Sequence, residues 1–213
     1  MTHNLKDIYF SIKTAIDDRL GEFRALWENG VDIDVFREMC FCTCTPQNNA
    51  RKAWSAVCAL DGLLEIAQTD CIAAVLRENG VRFHVNKARY IIANRESFFP
   101  DTKARIAAIL KDSTQREARD ILSEKVCGWG LKEASHFLRN IGLGSEVCIL
   151  DRHILRQLAL RGVFSQESGT VRLTRNAYWK LEAMMTLFAA KEGIPIDALD
   201  LTFWFEEKGE LFK

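Results

Sequence analysis

The chain reads as an all-α protein, and three observations say so. Nearly every apolar run recurs at three- and four-residue spacing, the period of a helix, and no convincing stretch alternates as a half-buried strand would. Glycines at Gly30, Gly80 and Gly162 fall where those runs stop, as helix ends demand. With 213 residues, 48% of them hydrophobic, the chain can fill one large core or those of two small lobes.

From the N-terminus, Asp7 to Leu20 places Ile8, Ile12, Ala15 and Ile16 on one face, and Arg19 to Trp27 continues the helix up to Gly30. A second helix opens near Asp32 or Asp34 and carries Val35, Phe36, Met39, Cys40 and Thr43. Thr45-Pro46-Gln47-Asn48 reads as the start of the next, since proline suits a first turn and polar side chains precede the run Ala50 to Ala59. Leu60 to Ala67 and Asp70 to Glu78 are short helices. Val81 to Val85 is the one stretch that could be extended, and Lys87 to Arg95 is a basic helix. Thr102 to Leu110 and Gln115 to Lys125 follow, with acids at their starts and lysines near their ends to match the helix dipole. Asp151 to Arg161 is amphipathic, Ser165 to Thr170 is a polar loop, and a long helix from Thr174 or Asn176 to Lys191 packs Trp179, Leu181, Met184, Leu187 and Phe188. Pro195 restarts a last helix toward Phe205. Three aromatics in the last ten residues indicate that the tail docks rather than frays.

Formal net charge is zero, 29 basic against 29 acidic residues, so no global field marks a nucleic-acid binder. A local patch would suffice. Arg82, Lys87, Arg89, Arg95, Lys103, Arg105 and Lys111 outnumber Glu96 and Asp101 and could form one. Seven cysteines without a signal-like leader, and no apolar run of membrane length, fit a reducing cytoplasm and a soluble chain. Cys40, Cys42 and Cys44 lack further ligands at metal spacing and read as core residues, so no metal is assigned.

The chemistry concentrates in Val126 to Asp151, VCGWGLKEASHFLRNIGLGSEVCILD. A helix ends, a hairpin of Cys127, Gly128, Trp129 and Gly130 reverses the backbone, and a second helix opens at Leu131. Both glycines sit where positive φ is expected. Gly130 leaves the first helix amides uncovered, which makes an anion site that a nucleic-acid phosphate would fit. A plain tight turn fits equally well. Lys132 lies in the first turn, where the dipole, helped by partial burial, lowers an ammonium's pKa, and a neutral amine is what a Schiff-base nucleophile needs. Asp151 follows 19 residues later, 151 − 132, as the N-cap of the next helix.

The hairpin, lysine and aspartate resemble the helix-hairpin-helix superfamily of DNA glycosylases. KEASHFLRNIG and ILDRHILR are similar to the type-2 8-oxoguanine DNA glycosylase/AP lyases, a compact prokaryotic branch. FCTCTPQNNARKAW, VRFHVNKARYIIANR and LDLTFWFEEKGELFK agree with it. The resemblance implies two helical lobes with a DNA-binding cleft: a continuous one, 34–144, with the hairpin, and one built from both chain ends, 1–33 with 145–213. It implies a monomer acting on double-stranded DNA that contains 8-oxoguanine. Lys132 would attack the sugar, with Asp151 stabilising positive charge and handling the proton, and His153 would hold the loop. The hairpin amides of Gly128 and Gly130 would grip phosphate, with no cofactor required beyond a monovalent cation at the hairpin. Gln47 or Asn48 would enter the duplex. Phe83, Trp204 and Lys213 would bind the base, the last through a terminal carboxylate on its Watson-Crick edge. No cysteine lies beyond Cys148, so the C-terminal iron-sulfur cluster of some superfamily members is excluded. Three alternatives remain: a sister glycosylase for oxidised pyrimidines, a non-catalytic hairpin module that only binds DNA, and a helical interaction protein.

Overall fold

A computed structural model describes residues 4–165 and 173–213. Twelve helices occupy them, and no strand is found among the described residues. In order these are α1 (Leu5–Asn29), α2 (Asp32–Cys44), α3 (Ala50–Ala59), α4 (Leu63–Ile66), α5 (Thr69–Glu78), α6 (His84–Phe98), α7 (Thr102–Leu110), α8 (Gln115–Lys125), α9 (Leu131–Asn140), α10 (Arg152–Leu160), α11 (Arg175–Glu192) and α12 (Ile196–Lys208). Side-chain caps fix several starts. Thr114 and Glu117 form a reciprocal box at α8, and Asn4, Asn49, Asp151 and Thr174 cap α1, α3, α10 and α11.

The buried apolar residues form two clusters. One runs from Val35 to Val147 and includes Phe36, Phe41, Ile91, Leu122 and Phe137. The other joins Leu5, Tyr9 and Ile16 of α1 to Leu150, Leu158, Met185 and Phe203. Each fully buried side chain of this size stabilises the fold by about 1.5–3 kcal/mol. Helix α9 belongs to both clusters: Leu131 lies in the second, while Ala134, Phe137 and Leu138 lie in the first.

The structure moves several expected faces. On α1 the buried row is Leu5, Tyr9, Ile16 and Phe23, and Ala15 is exposed. On α11 it is Tyr178, Glu182, Met185 and Ala189, whereas Leu187 is 72% exposed. Glu182, paired with buried Arg119, takes the buried face, while Leu181 and Phe188 of the expected stripe pack partly buried beside it. Pro46 does not open a helix: α2 ends at Cys44, and α3 starts only after Asn49. Val81 to Val85 is not extended either, because Phe83 turns left-handed (φ 58°) and starts α6. The stretch Leu60 to Ala67 holds only the single turn α4. Most of the polar loop expected at Ser165 to Thr170 lies outside the described residues.

Candidate active site

The hairpin lies between α8 and α9. Gly128 takes φ 84°, and a Cβ there would meet the Tyr90 ring at 2.3 Å, so only glycine fits. Gly130 does not use that freedom. Its φ is −116°, which any residue adopts, and its N–H is not uncovered: Glu133 Oε2 accepts from it at 3.1 Å. Asn94 holds the turn from below, accepting from the Cys127 N–H at 2.7 Å and donating to the Cys127 carbonyl at 3.1 Å.

One turn on, Lys132 faces a cavity of about 800 Å³ that Asp151 also lines. The carboxylate of Asp151 is oriented by its cap, one oxygen accepting from the His153 and Ile154 N–H groups at 2.8 and 2.9 Å. The charge state of Lys132 is opposite to the sequence expectation. Burial pushes its amine down, but Glu133, with an oxygen 3.1 Å from Nζ, and then Asp151 outweigh burial, and the pKa stands above its usual value. The free protein therefore carries Lys132 as an ammonium.

Helix periodicity brings two further side chains to this wall, His136 and Arg139, one and two turns after Lys132. Burial holds His136 well below the usual histidine range, with Arg139 adding to the effect, so its ring is neutral. Its Nε2 is buried without a protein partner, as are Nε and Nη1 of Arg139. Asp200, buried 3.4 Å from Arg139, is pushed by burial up to about 6. None of Glu133, His136, Arg139 or Asp200 was singled out from sequence. The first three were reachable from i+1, i+4 and i+7 spacing after Lys132, and Asp200 was not, because it arrives from α12.

The tail closes the opposite side. Trp204, Phe212 and Lys213 line the cavity. His153 pairs with Glu207 and meets Trp204 edge-on, with centroids 5.6 Å apart, which sets the indole. The Lys213 ammonium binds buried Glu38 and lies 3.6 Å from the Trp54 ring centroid. Arg51 grips Glu210 and covers the Phe212 ring at 4.8 Å.

On the loop 45–48, Gln47 is exposed at φ 58° and lines the cavity. Asn48 also lines it, but both ends of its amide are occupied: Oδ1 accepts from the Arg82 N–H at 2.9 Å, and Nδ2 donates to the Cys44 carbonyl at 2.7 Å. Asn48 is thus a loop brace rather than a free wedge. Phe83 is neither core nor cavity wall. It is 51% exposed beside Arg82, whose guanidinium sits 5.5 Å from its ring centroid. The expected basic patch is also thinner than its composition. Lys87 is buried against the Cys44 and Pro46 carbonyls, Arg95 donates to the Leu64 and Ala67 carbonyls, and Lys103 to that of Gly30.

A family model described as 8-oxoguanine DNA glycosylase matches residues 16–194. A Fusobacterium nucleatum relative named 8-oxoguanine DNA glycosylase/AP lyase is 36% identical over 99% of this chain and 97% of its own. A Methanocaldococcus jannaschii relative of the same name is 31% identical over 95% of this chain and 93% of its own. Among solved structures, the 8-oxoguanine DNA glycosylase of Thermotoga maritima superposes with a TM-score of 0.86 at 28% identity, covering 98% of this chain and 96% of that one. The M. jannaschii 8-oxoguanine glycosylase/lyase in complex with a 15mer DNA containing 8-oxoguanine gives 0.87 at 28% identity, covering 98% and 97%.

Proposed function

Because the chain belongs to the 8-oxoguanine DNA glycosylase family, we propose that its cavity receives an everted 8-oxoguanine nucleotide, with Lys132 as nucleophile and Asp151 as its carboxylate partner. The protein is a bifunctional DNA-repair enzyme, an 8-oxoguanine DNA glycosylase and AP lyase. The observation that carries the site assignment is that Lys132 and Asp151, from different helices, line one cavity large enough for a purine nucleoside.

Lys132 first gives up its ammonium proton, which Asp151 relays to the departing base. The Nζ lone pair then attacks C1′ while the C1′–N9 bond breaks, its electron pair leaving with the base, which takes up a proton. Positive charge builds on the sugar, and the carboxylate of Asp151, already oriented by its helix cap, lowers the energy of that charge. Opening of the sugar ring gives a Schiff base. Loss of a C2′ proton with cleavage of the C3′–O bond then nicks the strand.

Around this centre, Trp204 stacks on the base, and Lys213, lining the same cavity, meets its Watson-Crick edge. Gln47, rather than the braced Asn48, enters the duplex. Phe83 stands outside the base pocket of the free enzyme. Gly128 shapes the phosphate-gripping hairpin, and the Gly130 amide reaches a phosphate only by leaving Glu133. A cation at the hairpin would depend on main-chain carbonyls, since no cluster of three or more His, Cys, Asp or Glu side chains able to hold a metal occurs among the described residues. Of these, the Val126 and Cys127 carbonyls each accept one hydrogen bond, from the Trp129 N–H and from Asn94, and keep a second lone pair. No helix among the described residues is long and apolar enough to cross a membrane. The reading places the enzyme in a prokaryotic cytoplasm, acting as a monomer.

Borohydride reduction during incubation with 8-oxoguanine duplex traps the enzyme on DNA, and Lys132→Gln abolishes the adduct. An adduct of equal yield in Lys132→Gln overturns the assignment.

A further inference from the structure

The carboxylate nearest the Lys132 amine is that of its neighbour. Glu133 places Oε1 3.1 Å from Lys132 Nζ and Oε2 3.1 Å from the Gly130 amide nitrogen, so one side chain spans the nucleophile and the hairpin. The side chains of Lys132 and Glu133 keep 23% and 14% of their exposure, so the pair is shielded from most of the solvent that would weaken it. Asp151 makes no such contact: no ion pair within 4.0 Å joins it to Lys132. An ordinary capping role explains only half of this arrangement. A carboxylate that merely capped α9 would use one oxygen on the backbone and leave the other in water.

We infer that Glu133 is the positioning residue of the nucleophile: it ties the Lys132 ammonium to the DNA-gripping hairpin and sets the charge the amine must lose before it can attack. This rests on the reading of Lys132 as nucleophile. The other charged or titratable groups around the amine are Asp151 at the start of α10, His136 on α9, Asp200 on α12, Lys87 on α6 and the Cys42 thiol on α2. Of these, His136 is neutral, and Asp151 and Asp200 lie farther from Nζ than the salt-bridge contact Glu133 makes. Removing the negative charge of Glu133 leaves burial, which disfavours the ammonium, opposed mainly by Asp151.

Glu133→Gln keeps an oxygen for the Gly130 N–H and removes the charge. The readout is the pH dependence of single-turnover borohydride trapping on an abasic duplex, whose rate rises as Lys132 deprotonates. In Glu133→Gln the acidic limb moves to lower pH by about one unit, a tenfold change in the neutral fraction at a given pH. A cap alone would lower amplitude or stability and leave the limb in place, so an unmoved limb overturns the inference. If Glu133→Gln does not fold, the same limb is read in Glu133→Ser, which also lacks the charge, and an unmoved limb there overturns it equally. Trapping that persists in Lys132→Gln sinks the nucleophile assignment instead, whatever the Glu133 variants do.

Discussion

Replacing Lys87 by methionine should change how stability depends on pH. Lys87 is 4% exposed, and its amine donates to the Cys44 and Pro46 carbonyls, 2.8 Å from each, beneath the loop that carries Gln47. Burial lowers its pKa from 10.5 to about 8, with the positive charges of Lys132 and Arg82 adding to the shift. Between those two values the unfolded chain still holds a proton that the folded chain has released. Stability therefore rises with pH through that window. The span is 10.5 − 8, and at about 1.36 kcal/mol per pH unit the gain is roughly 3 kcal/mol. Methionine has no proton to exchange. Urea unfolding of both proteins from about pH 7 to about pH 10.5 isolates the effect, because every other titrating group is common to the two. Wild-type stability minus variant stability should climb by up to that amount, most of it above pH 8. Parallel curves would refute the assignment of a depressed amine at this position.

Gly128→Ala should cost at least about 1–2 kcal/mol from the left-handed backbone alone, and more because the Cβ meets the Tyr90 ring; thermal melting and duplex affinity should fall together. Arg119→Leu should destabilise by about 3–5 kcal/mol in urea, since it leaves Glu182 buried without its guanidinium. Asp200, raised by burial from 3.8 to about 6, is a group whose stabilising protonated form is lost as pH rises. Wild-type stability relative to Asp200→Asn should thus decline between about pH 4 and 6, and a flat difference in chemical denaturation would contradict it. Deleting Lys213 should reduce discrimination between 8-oxoguanine and guanine more than it reduces affinity for undamaged duplex, measured by excision rates and gel shift on matched oligonucleotides.

The elements that were legible in the sequence are those fixed locally. Helix punctuation at Gly30 and the Asp151 cap depend on residues within four positions of one another, and both form as the pattern indicates. What escaped depends on partners far along the chain. The buried face of α11 is set by Glu182 meeting Arg119, 63 residues away, and apolar periodicity cannot register a buried ion pair. Lys87 looked like part of a surface patch because its residue type is usually exposed; its place beneath the loop is decided by carbonyls 41 and 43 residues away. At Lys132 burial does lower the amine's pKa. The net direction is nonetheless upward, because Glu133 supplies a carboxylate at 3.1 Å, an effect that dipole and burial do not include.

The placement of Lys132 follows from the helix beneath it. Eight of the ten residues of α9 are buried, and its flanks belong to two different apolar clusters, so the helix cannot shift without opening both. The groups that would read the lesion come from other parts of the chain: the exposed loop residue Gln47, the half-buried indole of Trp204 on α12 and half-buried Lys213. The reacting atoms meet in one geometry, whereas entry of a purine needs the walls around it to yield. Substitutions in α9 should therefore act on the chemical step and on stability at once, and substitutions in the loop and tail on selectivity with the fold intact.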